Sequence, residues 1–166
     1  MNKSRIIILT SLIAACIISI WWFSPSQIIK RKTETIVQCL DIPETATKTY
    51  RALKTNSFSS LLDNSATCQV DIANYQKEFS RDQLIESHQL FAFHVDSADA
   101  TIHSMNVKIV DETHAVTTTV IDFALRSKKT PLANEQIELN LNWSKNKAGK
   151  WKLSKIEMQS ALNSEI

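Results

Sequence analysis

Glycine is almost absent from this chain: Gly149 is the only one in 166 residues. A dinucleotide-binding fingerprint, a phosphate-cradling P-loop and a nucleophile elbow each need two or more glycines, because the backbone must turn sharply or approach a phosphate closely. All three classes are excluded. Cysteine is also scarce, with Cys16, Cys39 and Cys68 alone, and the four histidines are scattered. No ligand set has metal-binding spacing, so neither a metal nor a cofactor is expected. An excess of one charge is missing too, with 19 basic against 17 acidic residues. Nucleic-acid binding needs clustered positive charge and is not expected.

A long apolar run is present. From Ile6 to Phe23 the sequence carries no charge, interrupted only by Thr10, Ser11, Cys16 and Ser19. A helix of that length rises about 27 Å, close to a bilayer's hydrocarbon core. Trp21 and Trp22 stand at its edge, where aromatic rings favour the headgroup layer, and Ser24, Pro25 and Ser26 break the pattern. The division expected is a polar tail at 1–5, a transmembrane signal anchor at 6–23 and one domain at 24–166. Two other readings stay open. Ile13-Ala14-Ala15-Cys16 resembles a lipobox that would lipidate Cys16, although mostly apolar residues follow it. A cleaved signal peptide would need small residues where Trp21 and Trp22 stand. Lys3 and Arg5 oppose Lys30, Arg31 and Lys32 under the positive-inside rule. The short head is the usual form of a signal anchor, which places the domain in the periplasm or outside the cell. There Cys39 and Cys68 have the option of pairing, but their apolar neighbours suit buried thiols equally.

After the run, Ile29, Thr33, Ile36, Val37 and Leu40 recur at helical spacing and predict a helix over 27–40. A second helical stretch covers 44–54, and Ser57 is a candidate cap for a short third piece holding Phe58, Leu61 and Leu62. Cys68, Val70 and Ile72 then alternate with polar residues as a strand does. Ser80 and Gln83 form a capping box opening a helix to about His94, with Leu84, Ile85, His88, Phe91 and Val95 along one stripe. The rest reads as strands over 101–110, 115–126, 135–144 and 150–158, in consecutive antiparallel hairpins. Gly149 suits the left-handed geometry of the last turn.

The segments SFSSLLDNSATCQVD, EFSRDQL, KIVDETHAVTTTV and AGKWKLSKIEM, in that order over about 28–160, resemble the nuclear transport factor 2-like (NTF2-like) superfamily, also called SnoaL-like or ketosteroid isomerase-like. The resemblance implies an α+β cone, with N-terminal helices packed on a curved antiparallel sheet around a cavity. It also implies where catalytic groups would stand in the isomerase branch: a tyrosine on a helix and an aspartate on the first strand. Aligned on LLDNSAT, those places fall on Thr49 and Val70, with Tyr50 and Asp71 each one residue away. One step along a strand reverses the face, so Asp71 is expected to point to solvent.

Asp122 is the acid of most interest, lying mid-strand between Ile121 and Phe123. If Val110 faces Ala115 across the 111–114 turn, His103 faces Asp122, on the face of Met105, Val107, Val116 and Val120. Inside a cavity such a pair would move a proton; on a wet face it is an ordinary cross-strand pair. Tyr50, His88, Met105 and Asp122 are the candidate cavity residues. His88 and His94 suit a helix surface or core edge, His114 a turn, and Trp143 and Trp151 the core. Lys145, Lys147, Lys150, Lys152 and Lys155 read equally as a protected hairpin edge or as contacts to anionic headgroups.

Two functions follow. The first is a membrane-anchored, extracytoplasmic module without catalysis, whose sheet serves self-association or a membrane-protein partner. The alternative is binding of a small apolar ligand in the cone, or isomerase- or dehydratase-like proton transfer there. An exposed apolar sheet face would favour the first and a deep cavity with converging polar groups the second.

Overall fold

The computed structural model describes residues 19, 21–72, 75–127 and 130–160. Helix α1 spans Pro25–Leu40 and α2 Lys48–Leu61; strands β1, Leu62–Ile72, and β2, Tyr75–Ser80, follow. Helix α3, Arg81–His94, leads to β3, Ser97–Ile109, β4, His114–Ser127, β5, Thr130–Lys145, and β6, Trp151–Ser160. The strands form one curved six-stranded sheet in the order β2-β1-β6-β5-β4-β3, and the helices pack against one face of it.

Helix α1 forms where its spacing predicts, with Pro25 in its first turn and Ile29, Thr33, Ile36, Val37 and Cys39 buried. The capping box at α3 is present, and the Ser80 N–H donates to Gln83 Oε1 at 2.9 Å. The second and third helical pieces are instead one helix. Thr47 caps it, its Oγ1 accepting from the Tyr50 N–H at 3.2 Å, while Ser57 is interior. The Ser59 and Ser60 hydroxyls donate back to the Asn56 and Ser57 carbonyls, so this serine-rich stretch bonds within the helix rather than starting a new one. Arg51 binds α2 to the end of α3, donating to the carbonyls of Val95 at 2.7 Å and Asp96 at 3.2 Å and also to Ala92.

The hairpins β3–β4, β4–β5 and β5–β6 are antiparallel, as expected. The sheet as a whole is mixed, because β1 runs parallel to β6. That pairing joins strands distant in sequence, and no turn signal announces it. Strand β2 was also unforeseen: its sequence YQKEFS is mostly polar, and it is held at the edge by backbone pairing to β1. Gly149 takes φ +70°, the left-handed conformation expected in its turn.

The largest departure is in register. Ala115 faces Ile109 rather than Val110, and β3 then bulges between Ile102 and Ser104, so Asp122 faces Thr101 and not His103. The 111–114 turn explains the first step. The Asp111 carboxylate accepts from the N–H groups of Thr113 at 2.6 Å and His114 at 2.8 Å, and the Val110 N–H donates to the His114 carbonyl at 3.0 Å, closing a loop one residue longer than a two-residue hairpin. As a result Met105 and Val107 pair with Thr119 and Thr117, on the helix-covered face, while Val116 and Val120 pair with Lys108 and Ser104 on the other.

The covered face holds the core: Leu139, Leu141 and Trp143 on β5, Leu153 and Ile156 on β6, Cys68 on β1 and Ile121 on β4. In its midst lies a buried polar chain. The Trp143 indole N–H donates to Thr117 Oγ1 at 3.2 Å, and Thr33 Oγ1 of α1 donates to the same oxygen at 3.4 Å. Both threonines are fully buried. Replacing Thr117 with the isosteric Val strands two buried donors and should cost about 1–3 kcal/mol, whereas Ser keeps the acceptor and should lose less. Urea unfolding of the two variants checks this; equal losses would contradict it.

Candidate functional site

Between the helices and the sheet lies a cavity of about 200 Å³, walled by Ile36, Leu40, Phe58, Cys68, Leu84, Ser87, His88, Phe91, Leu139, Leu141, Ile156 and Met158. Alternation on β5 and β6 turns Leu139, Leu141, Ile156 and Met158 to this face. The i, i+3, i+4 and i+7 spacing of Leu84, Ser87, His88 and Phe91 brings them together on α3. Ser87 is exposed while Leu40, Leu84, Phe91 and Met158 are half-buried, so the cavity meets solvent along α3.

His88 is its one imidazole, only 6% exposed. Nε2 lies 3.1 Å from the Cys39 carbonyl, which can only accept, so Nε2 carries the proton. Nδ1 then accepts from the Thr55 hydroxyl at 3.3 Å, a proton that Thr55 shares with the Arg51 carbonyl. The ring stacks on Phe58, centroids 4.5 Å apart, and meets Phe91 edge-on. Burial pushes its pKa below the ordinary value, against the opposing effect of the Cys39 bond. Cys68 is a buried free thiol, pushed up to about 11 by the same loss of water. Cys39 is likewise buried and free, and its thiol too is raised to about 11. The cavity thus holds no charge, and its imidazole has both nitrogens engaged.

Of the four cavity residues expected from sequence, His88 lines it and the other three do not. Tyr50 borders a separate groove of about 210 Å³ between α1 and α2, with Lys54 Nζ 5.0 Å from its ring. Met105 stands beside Thr119 on the helix-covered face, outside the cavity wall. Asp122 is on the opposite face. The bulge swings His103 back toward it, so His103 Nδ1 lies 3.5 Å from Asp122 Oδ2, but the side chains are 60% and 50% exposed. Gln136 Nε2 donates to the other Asp122 oxygen at 2.8 Å. This is a wet cross-strand pair beside an acidic hollow of about 320 Å³ that also includes Asp99 and Glu135. Asp71 is exposed and bonded to Gln76, as its position next to Val70 implied. Among the described residues no group of three or more His, Cys, Asp or Glu side chains is placed to hold a metal ion.

The sheet's outer face is polar. Thr118 donates to Asn140, Asn140 and Gln159 both donate to Glu138, and Lys155 pairs with Glu157. Sequence reasoning missed Phe58, Leu139 and Met158 as cavity walls because any buried apolar residue suits a core as well; only the gap between them distinguishes the two.

No family model and no curated protein matches the sequence at a significant level. The fold does match solved structures. A candidate dehydratase of the NTF2-like family from Streptomyces avermitilis superposes with a TM-score of 0.62 at 11% identity, over 82% of this chain and 95% of that one. A candidate ketosteroid isomerase from Parabacteroides distasonis gives 0.59 at 13%, over 85% and 91%. A candidate calcium/calmodulin-dependent protein kinase II association domain from Xanthomonas campestris gives 0.63 at 16%, over 86% and 91%. The described domain therefore has the NTF2-like α+β fold. At such identities the likeness carries the fold alone.

Because His88 is held neutral in the folded state, the unfolded chain binds more protons near its ordinary pKa. Stability should then rise with pH and be lost on acidification through the unfolded value of about 6.5. Urea unfolding at about pH 5.5 and about pH 7.5 should show a smaller pH effect in His88→Gln than in the parent. An identical pH effect would remove His88 as its source.

Proposed function

We propose that this domain binds a small apolar molecule in the cone and does not transform it. The observation that carries this reading is the cavity: apolar walls, no carboxylate, and one histidine already bonded on both nitrogens. Proton transfer needs a group free to take or give a proton within reach of the ligand, and His88 would first have to break a buried bond. The pair His103 and Asp122 faces water on the far side of the sheet. A volume of about 200 Å³ is below the usual 300–1,000 Å³ of drug-sized sites, which restricts the occupant to one ring or a short alkyl chain. Likeness to a dehydratase and an isomerase supports a cavity-based role.

Self-association through the sheet draws support from the likeness to an association domain. It ranks second, because it would have to bury the Thr118, Asn140, Glu138 and Gln159 network, whose groups are already bonded to one another. Toluene titrated into the protein should shift the NMR signals of Leu139, Leu141 and Met158 with a Kd below about 1 mM. Leu84→Trp, which fills the mouth, should weaken binding at least tenfold, by roughly 1.4 kcal/mol, while Asp122→Asn leaves it unchanged. Binding lost in Asp122→Asn, or unaltered in Leu84→Trp, would rule out this site.

The domain's place is proposed from the sequence: a retained anchor at Ile6–Phe23 with the domain in the periplasm or outside the cell. Of this run only Ser19 and Trp21–Phe23 lie within the described residues, and among the described residues no helix is long and apolar enough to cross a membrane. Mass spectrometry of the protein recovered from membranes should find the run intact. A chain starting at a lipidated Cys16, or just after Phe23, would replace the anchor with one of the two other readings.

A further inference from the structure

The end of the cone where α1 begins has features that ligand binding does not use. Thr33 reaches Thr117, which faces Val107 across the sheet, so the first turns of α1 point toward Ile109 and the β3–β4 turn. The Lys145 N–H donates to the Thr113 carbonyl at 2.9 Å, which sets the β5–β6 turn beside that one. Trp21, Trp22, Phe23, Ile109 and Val110 are all exposed. Arg31 ties the aromatic group to α1, its guanidinium 4.6 Å from the Trp22 ring and donating to the Trp22 carbonyl at 3.0 Å. Lys32 is close enough to Lys150 and Lys152 for their charges, after burial, to lower its pKa. Lys152 also reaches the Ser60 carbonyl, and Lys145 lies 5.0 Å from the Trp151 ring. Of the acids here, Asp111 turns its carboxylate onto the amides of its own turn, while Glu112 is exposed.

We propose that this end of the cone docks on a bilayer surface carrying anionic headgroups. Trp21, Trp22, Phe23, Ile109 and Val110 would enter the headgroup layer, and Arg31, Lys32, Lys145, Lys147, Lys150 and Lys152 would meet the lipid anions around them. Lys32, Lys150 and Lys152 repel one another where they converge, and an anionic surface relieves that repulsion. Tryptophan rings suit the interface, and large exposed apolar side chains distinguish a lipid surface from a soluble polyanion. The chain entering Trp21 comes from the uncharged Ile6–Ile20 stretch, so a membrane is also where this end is led. Docking is separate from ligand binding and from the anchor: a span alone would leave the domain free to tumble on its tether.

The test is hydrogen exchange on the full chain with vesicles of phosphatidylcholine alone or with about a third phosphatidylglycerol. Residues 146–150 report the docked end, and residues 48–51, at the opposite end of α1, serve as reference. Anionic vesicles should slow exchange in 146–150 about fivefold relative to the reference, and about 0.5 M salt should reverse it. The double variant Lys147→Glu, Lys150→Glu, both exposed, should remove the protection. A chain that sediments with neutral and anionic vesicles alike yet exchanges equally in both would be anchored but not docked, and would overturn the proposal without touching the anchor. Protection by a soluble oligonucleotide and not by vesicles would also overturn it.

Discussion

Everything on the covered face of the sheet depends on where α1 sits, and α1 is pinned by a polar contact in an apolar core. Thr117 Oγ1 receives the Trp143 indole and the Thr33 hydroxyl where no water reaches. A stripe of Ile29, Ile36 and Val37 would tolerate sliding along the sheet, since apolar contact has no direction. Buried hydrogen bonds do not tolerate it, because a shift leaves a donor without an acceptor. With α1 held, its end delivers the Cys39 carbonyl to His88 and lets Ile42 bridge Ala98 at the start of β3.

The cavity is what remains when these constraints are met. Helix α3 stands off the sheet opposite Leu139 and Leu141, and the imidazole between Phe58 and Phe91 is held by bonds to α1 and α2 rather than by contact with the sheet. The same low polarity that keeps His88 neutral and Cys68 protonated makes the space hospitable to an apolar guest and poor for developing charge. The candidate carboxylate Asp122 lies on the opposite face of the sheet from the cavity.

The two faces and the two ends of the molecule therefore divide the work. The outer face spends its polar side chains on one another, through Thr118, Asn140, Glu138 and Gln159. The end at Ile42 and Arg51 is closed by backbone bridges and by a guanidinium capping α3. The other end, with Trp21, Trp22 and the lysines of the last hairpin, has unspent charge and uncovered apolar surface.

Much of the fold was legible in the sequence because its signals are local. The stripe from Ile29 to Val37, the box at Ser80 and Gln83, the alternation from Ile137 to Trp143 and the lone glycine each act within a few residues. His88 was legible as a core-edge residue for the same reason. What escaped depends on partners far apart in sequence or on single-residue geometry. The parallel pairing of β1 with β6 has no signal in either strand, and the polar strand β2 exists only because β1 offers it an edge. The bulge at His103 put Thr101 opposite Asp122 in register, since one extra residue in a strand reassigns every contact beyond it, and the His103–Asp122 pair lies on the wet face of the sheet rather than in the cavity. By itself the sequence determined most of the helices and strands, β2 and the continuity of α2 excepted, and which of their faces is apolar, through periodicity and capping. Only the tertiary structure decided register, which side chains wall the cavity and which lysines converge, because those are distances between segments and no local pattern encodes them.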